Sequence, residues 1–219
     1  MFKNVKQEIN LPDIIPIFPL EGVVMFPDTY LPLNIFEPRY LKMIEKAMST
    51  KNRLVGMIQP YNLNEGDDKF NLYKVGCAGK IIKFEETEDN RYLITLKGLS
   101  RFNLISEKIT DQKFREANIC WENFNKDFAN NNKNISDFST LKITLKKYFK
   151  SKNIKANMDV IDSFDDYNFV DQLIMICPIE NDEKQLLLET VSISKRTKLL
   201  QTILDSHISE ANITDISKH

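Results

Sequence analysis

Glycine is scarce in this chain, six in 219 residues, and so are histidine, cysteine and tryptophan, at two, three and one. Each shortage excludes something. Gly56, Gly66, Gly76, Gly79 and Gly98 never fall into the G-x-x-x-x-G-K-[ST] spacing whose main-chain amides cradle phosphates, so there is no P-loop motif. The two histidines, His207 and the terminal His219, stand in no H-x-x-x-H or cysteine-flanked arrangement, and neither a metal nor another cofactor is expected. His207 reads as a helix-terminal residue that favours the dipole. Cys77, Cys120 and Cys177 are odd in number, far apart and set in apolar segments. That suits reduced thiols packed as small hydrophobes in a cytoplasm.

Long hydrophobic runs are missing too. The longest are strand-sized, short of the roughly 20 residues a bilayer requires, and the polar residues 1–10 lack a signal peptide's apolar stretch. No membrane partner is expected, and a cytoplasmic location is. Nor does one sign of charge dominate. With 30 Lys and Arg against 31 Asp and Glu, the net charge of −1 gives no whole-molecule field to draw nucleic acid or anionic lipid. A chain of this length buries about 70% of its unfolded surface and needs no disulfide or metal to hold it.

What is present is concentrated early. Residues 14–48, IIPIFPLEGVVMFPDTYLPLNIFEPRYLKMIEKAM, hold five of the eight prolines: Pro16, Pro19, Pro27, Pro32 and Pro38. Each forbids a ladder hydrogen bond at its own nitrogen and fixes φ, so residues 16–19 read as a short strand with a bent end. Gly22 supplies access to positive φ, residues 23–26 resume extended, and Pro27-Asp28 turns the chain again. Residues 30–35 read as a buried strand. Phe36-Glu37-Pro38-Arg39-Tyr40 opens a helix with proline at its start, where no amide is lost, and Leu41, Ile44 and Met48 continue its buried face.

Further on, residues 54–59 read as a strand stopped by Pro60, and 61–69 as a loop. Residues 73–86 and 91–106 form a long β-hairpin about the charged turn 87–90, with Gly76, Gly79 and Gly98 marking bulges or close strand approach. Residues 113–122 (KFREANICWE) add a strand containing the one tryptophan. The polar, aperiodic stretch 123–134 reads as a linker between a β subdomain at 1–122 and a helical one at 135–219. In the latter, Ser136 starts an amphipathic helix, Asp165-Asp166 caps another that Pro178 ends, and Asp182 with Gln185 forms a capping box. Ser192 or Ser194 starts the last helix, which places Arg196, Leu200, Ile203, Leu204 and His207 on one face and frays from Ile208.

The stretch IPIFPLEGVVMFPDTYLPLNIFEPRY closely resembles the start of the Lon amino-terminal domain family, which precedes the ATPase in Lon-type proteases and also occurs alone or fused to other modules. The likeness extends to VGCAGKI (75–81), LKGLSRF (96–102), NDEKQLLLE (181–189) and SISKR (192–196). The resemblance implies an α+β fold. An N-terminal PUA-like, strongly bent antiparallel β-sheet or pseudo-barrel of about six strands holds one helix, and a C-terminal α-helical bundle follows. It also implies a non-catalytic module that binds unfolded or exposed polypeptide segments in bacterial protein quality control, presenting them to a protease or chaperone. A full Lon protease carries a P-loop and a Ser/Lys dyad downstream. These residues stop before both, so ATP-dependent proteolysis is not expected of them.

Candidate chemistry is sparse. The acidic sets Glu85-Glu86-Glu88-Asp89 and Asp165-Asp166 read as solvated charge at a turn and a helix start. Lys142, Lys146, Lys147, Lys150, Lys152 and Lys155, with a second patch at Lys195-Arg196-Lys198, offer phosphate contacts but no interleaved aromatics, so RNA binding by a PUA-like module is the rival reading. Glu37, Arg39 and Arg101 have two readings: a bracing network that joins helix to sheet, or, with Phe26, Phe36 and Tyr40, the edge of a groove for an extended peptide.

Overall fold

The computed structural model describes residues 11–61, 71–128, 138–155, 161 and 168–216. Strands β1 (Ile14–Pro19), β2 (Tyr30–Ile35), β3 (Leu54–Ile58), β6 (Val75–Glu86), β7 (Tyr92–Ile109) and β8 (Arg115–Cys120) build one sheet in the order β2-β7-β6-β3-β1-β8. Two short strands, β4 (Pro60–Tyr61) and β5 (Asn71–Leu72), pair separately. The sheet is not antiparallel throughout, as expected from the sequence, but mixed. β1 and β3 run parallel, Ile17 facing Gly56, because the intervening chain forms helix α1 (Pro38–Met48) and returns in the same direction.

The 18-residue β7 serves three neighbours. Its first half pairs with β6 and β2, and its second with β8, which also pairs with β1. The sheet therefore curls until the strand at one end of the order meets the second from the other end. The bend lies where Ala78 faces Ser100 but Gly79 faces Gly98, so Leu99 is unopposed in a bulge, as the glycines suggested. Residues 23–26, expected to be extended, join no strand but bury Val24, Met25 and Phe26 beneath the bend. Gly22 takes φ +71° as anticipated, and Asp28 also takes a positive φ, 59°.

Helix α1 fills the concave side. Its buried face is Tyr40, Met43, Ile44 and Ala47, one residue round from the face read in the sequence, packed with Phe18, Ile35, Met57 and Leu96. The linker's first residues are ordered: Glu122–Phe128 form a 3-10 helix with Phe124 buried. Helices α2 (Ser139–Ser151), α3 (Phe169–Ile176), α4 (Asn181–Glu189) and α5 (Ile193–Ile216) follow, and their apolar cluster includes Val24, Phe26 and Val75 from the sheet half. The loop over 62–69, the start at Ser136 and the cap at Asp165-Asp166 lie outside the described residues. Two helix ends differ from the sequence reading. The Glu183 carboxylate, not Gln185, accepts from the main chain before α4, at Glu180 N–H (2.9 Å), and α5 continues to Ile216 instead of fraying at Ile208. His207 is not helix-terminal but within α5, where Nε2 lies 2.8 Å from the Glu183 carboxylate.

The helical core gives a pH prediction. Burial pushes the Tyr148 phenol and the Cys177 thiol up to about 12 each, from 10.0 and 9.0. Both are neutral when folded, and the unfolded chain ionises first. Their contribution is whole below about pH 9 and is lost as pH rises to about 12. The urea midpoint is expected to be lower at about pH 11 than at about pH 8, with a smaller drop in Cys177→Ala; an unchanged drop in that variant removes the thiol from the account.

Candidate functional site

The helix entrance assembles four of the six residues expected in a peptide groove. Glu37 is extended (φ −70°, ψ 131°), and its carbonyl accepts from Tyr40 and Leu41 N–H at 2.9 and 3.0 Å, so proline at position 38 starts α1 without losing a bond. Arg39 Nε donates to Glu37 Oε2 (3.0 Å), a pair with side chains 37% and 44% exposed and therefore of little stabilising value. The Arg39 guanidinium lies 4.7 Å above the Tyr40 ring, and Tyr40 in turn packs on Phe18 with centroids 4.3 Å apart. Phe36, the residue that leaves β2, is 64% exposed.

These residues border a cleft of about 360 Å³ between the end of β1 (residues 18–21), the end of β2 (33–35) and the α1 entrance. Across the Arg39–Tyr40 stack lies a second cleft of about 270 Å³ that shares Pro19, Arg39 and Tyr40 and is lined on its far side by Ile109, Lys113, Phe114 and Arg115. Ile109 is 64% exposed. Two large apolar side chains thus stand in solvent on either side of an aromatic and arginine ridge. The formal charges are mixed, Glu21 and Glu37 against Arg39, Lys113 and Arg115, so the ridge has no strong preference for one sign.

Phe26 and Arg101 do not reach these clefts; they are 0% and 2% exposed. Arg101 instead grips the 3-10 helix and the α4 terminus. Nε and Nη2 donate to the two Asp127 carboxylate oxygens (2.9 and 2.7 Å), and Nη1 donates to the Leu188 and Thr190 carbonyls (3.0 and 3.1 Å). Arg196, read from the sequence as part of an exposed basic patch, is buried. It lies over the Phe26 ring, pairs with Asp171 and donates Nη2 to the Thr190 carbonyl at 2.7 Å. Burial pulls the Arg196 guanidinium below its usual range, which the Asp171 charge opposes. Two arginines from different elements therefore converge on one carbonyl, and this joint, not Glu37 and Arg39, braces helices to sheet. Asp171, a lone acid in the apolar run FVDQLIMI, was the one readable signal of it.

Among the described residues no three His, Cys, Asp or Glu side chains are placed to hold a metal ion, and no helix is long and apolar enough to cross a membrane.

The elements together define a mixed α+β domain that presents an apolar cleft at the entrance of its first helix. Residues 14–206 match the ATP-dependent protease La (LON) substrate-binding domain, and the chain belongs to that family. Lon protease of Endomicrobium trichonymphae is 25% identical over 216 residues, covering 94% of this chain and 26% of that protein. Lon protease of Fervidobacterium nodosum is 26% identical over 218, covering 97% of this chain and 26% of that protein. The chain thus spans about a quarter of the length of these curated relatives, and the family match is to the substrate-binding domain, not to a protease or ATPase domain. Among solved structures, the Lon N-terminal domain protein from Xanthomonas campestris superposes with a TM-score of 0.58 at 18% identity, covering 86% of this chain and 97% of that one. The N-terminal domain of Mycobacterium avium complex Lon protease gives 0.56 at 13%, covering 89% and 99%. At such identities the likeness is one of fold.

Proposed function

We propose that this domain is a non-catalytic module that holds exposed or unfolded polypeptide segments in bacterial cytoplasmic protein quality control, for a protease or chaperone to act on. The binding surface is the ridge formed by Phe36, Glu37, Arg39 and Tyr40. The observation that carries the reading is Phe36, a large apolar side chain left in solvent beside an apolar cleft in a member of a substrate-binding family. The curled sheet serves as a PUA-like pseudo-barrel, and the four later helices as the bundle that backs it. Against RNA binding stand the near-zero net charge and the loss of Arg196 from the basic patch to the interior.

Phe36→Asp tests the reading. Since Phe36 is 64% exposed, stability is expected to stay within about 0.5 kcal/mol of the parent. Binding to reduced, carboxymethylated α-lactalbumin, measured by fluorescence anisotropy, is expected to weaken about tenfold. Unchanged binding moves the site elsewhere. Purified protein is expected to leave casein intact with and without ATP, and cleavage that survives purification overturns the non-catalytic reading.

A further inference from the structure

β2 is the end strand of the sheet, and among the described residues it pairs only with β7. Which of its main-chain groups face outward follows from two observations. The Thr29 carbonyl accepts from Gly98 N–H at 2.9 Å, so Thr29 points its main chain toward β7. With the period of two in a strand, Leu31, Leu33 and Ile35 do the same, while Tyr30, Pro32 and Asn34 turn theirs to the free edge. Pro32 agrees with this parity, because proline is tolerated in a strand where its nitrogen faces away from the partner.

The edge therefore offers both main-chain groups of Tyr30 and of Asn34 and, between them, the Pro32 carbonyl. It offers no donor at Pro32, which blunts pairing between two long edges and leaves a short stretch centred on Asn34. That stretch borders the 360 Å³ cleft, whose lining includes Leu33, Asn34 and Ile35 on one side and residues 18–21 on the other. The side chains of Leu33 and Ile35 turn to the core side, whereas Asn34 is exposed on the opposite face.

We infer that the occupant of this cleft is an extended polypeptide segment that adds to the free edge of β2, its central residue exchanging main-chain hydrogen bonds with Asn34. The inference rests on the substrate-holding reading above and gives it a register. In an added strand the residue opposite Asn34 turns its side chain to solvent, and its two neighbours turn theirs toward the cleft. The recognised pattern is apolar–any–apolar. Its middle position is indifferent to side chain and sensitive at the main chain, which explains how one surface accepts many sequences.

The probe is the tightest binder among overlapping short peptides that span α-lactalbumin, with each residue in turn replaced by alanine and, separately, N-methylated. At the middle position alanine is expected to change affinity less than twofold and N-methylation to weaken it about tenfold. At the two flanking positions alanine weakens binding and N-methylation has the smaller effect. On the protein, Asn34→Pro is expected to lose about tenfold and more than Asn34→Ala does, with circular dichroism to check folding; the methylation scan uses unaltered protein and decides the matter even where that variant unfolds. A scan without alternation, in a protein whose binding Phe36→Asp still weakens about tenfold, overturns strand addition and leaves the substrate site standing. Binding indifferent to Phe36→Asp removes the site itself. A dimer by sedimentation that Asn34→Pro converts to monomer assigns the edge to a second copy and also overturns the inference.

Discussion

Replacing Arg101 with leucine is expected to cost about 3–5 kcal/mol of unfolding free energy, a large share of the roughly 5–15 kcal/mol that holds a domain folded. The loss exceeds that of an ordinary surface ion pair because the Arg101 and Asp127 side chains are only 3% and 8% exposed. Removing the guanidinium leaves the buried Asp127 carboxylate without its direct ion pair and withdraws the Nη1 donor from the Leu188 and Thr190 carbonyls. The effect reaches both halves of the fold, since β7 contributes the arginine, the 3-10 helix its partner and the α4 terminus the acceptors. Arg101→Leu combined with Asp127→Leu is expected to recover part of the loss, because two apolar groups strand no charge. Urea denaturation of the two single variants and the double variant measures this. If Arg101→Leu costs under about 1 kcal/mol, the joint is decoration and the helices are held by apolar packing alone.

Much of the fold was legible because prolines, glycines and alternation are local signals. The β6–β7 hairpin, the proline-started helix α1 and the bulge at Gly98 all follow from residues within a few positions of one another. What could not be read depends on partners distant in sequence. Arg101 meets Thr190 across 89 positions, and nothing near either residue announces it. The same holds for Arg196, which sits between two exposed lysines yet is buried by Phe26 and Asp171. The parallel β1–β3 pairing likewise depends on where the chain returns after α1. As for the candidate site, the contiguous run 36–40 came together as expected because a helix entrance keeps neighbours adjacent. Phe26 does not reach it, because an aromatic residue reads as surface chemistry until burial is known, and of the two readings open for Arg101 its contacts are those of a brace. Phe18, Leu33 and Ile109, which complete the cleft walls, carry no signal apart from being apolar.

Gly98→Val is the companion case, in which backbone and not charge sets the penalty. Gly98 and the turn after Phe26 are joined by two main-chain bonds, Asp28 N–H to the Gly98 carbonyl and Gly98 N–H to the Thr29 carbonyl, both 2.9 Å. A Cβ at position 98 would lie 1.9 Å from the Phe26 carbonyl oxygen and 2.8 Å from its carbon, and that oxygen is held in a turn by the Thr29 N–H (3.3 Å) and hydroxyl (2.6 Å), so it cannot swing aside as a side chain can. Relief requires those two bonds to break and the buried Phe26 to shift beneath Arg196. Summing two lost hydrogen bonds and a disrupted core contact gives about 3 kcal/mol or more. Gly98→Ala is expected to do nearly as much harm, since its first added carbon already meets the carbonyl. That near-equality separates a main-chain clash from side-chain overpacking, in which damage grows with volume. Thermal unfolding of both variants provides the comparison. A Gly98→Ala protein as stable as the parent would mean that the segment over residues 26–29 can move off β7 without loss. The free edge of β2, which that segment leads into, would then lack the fixed register on which pairing at Asn34 depends.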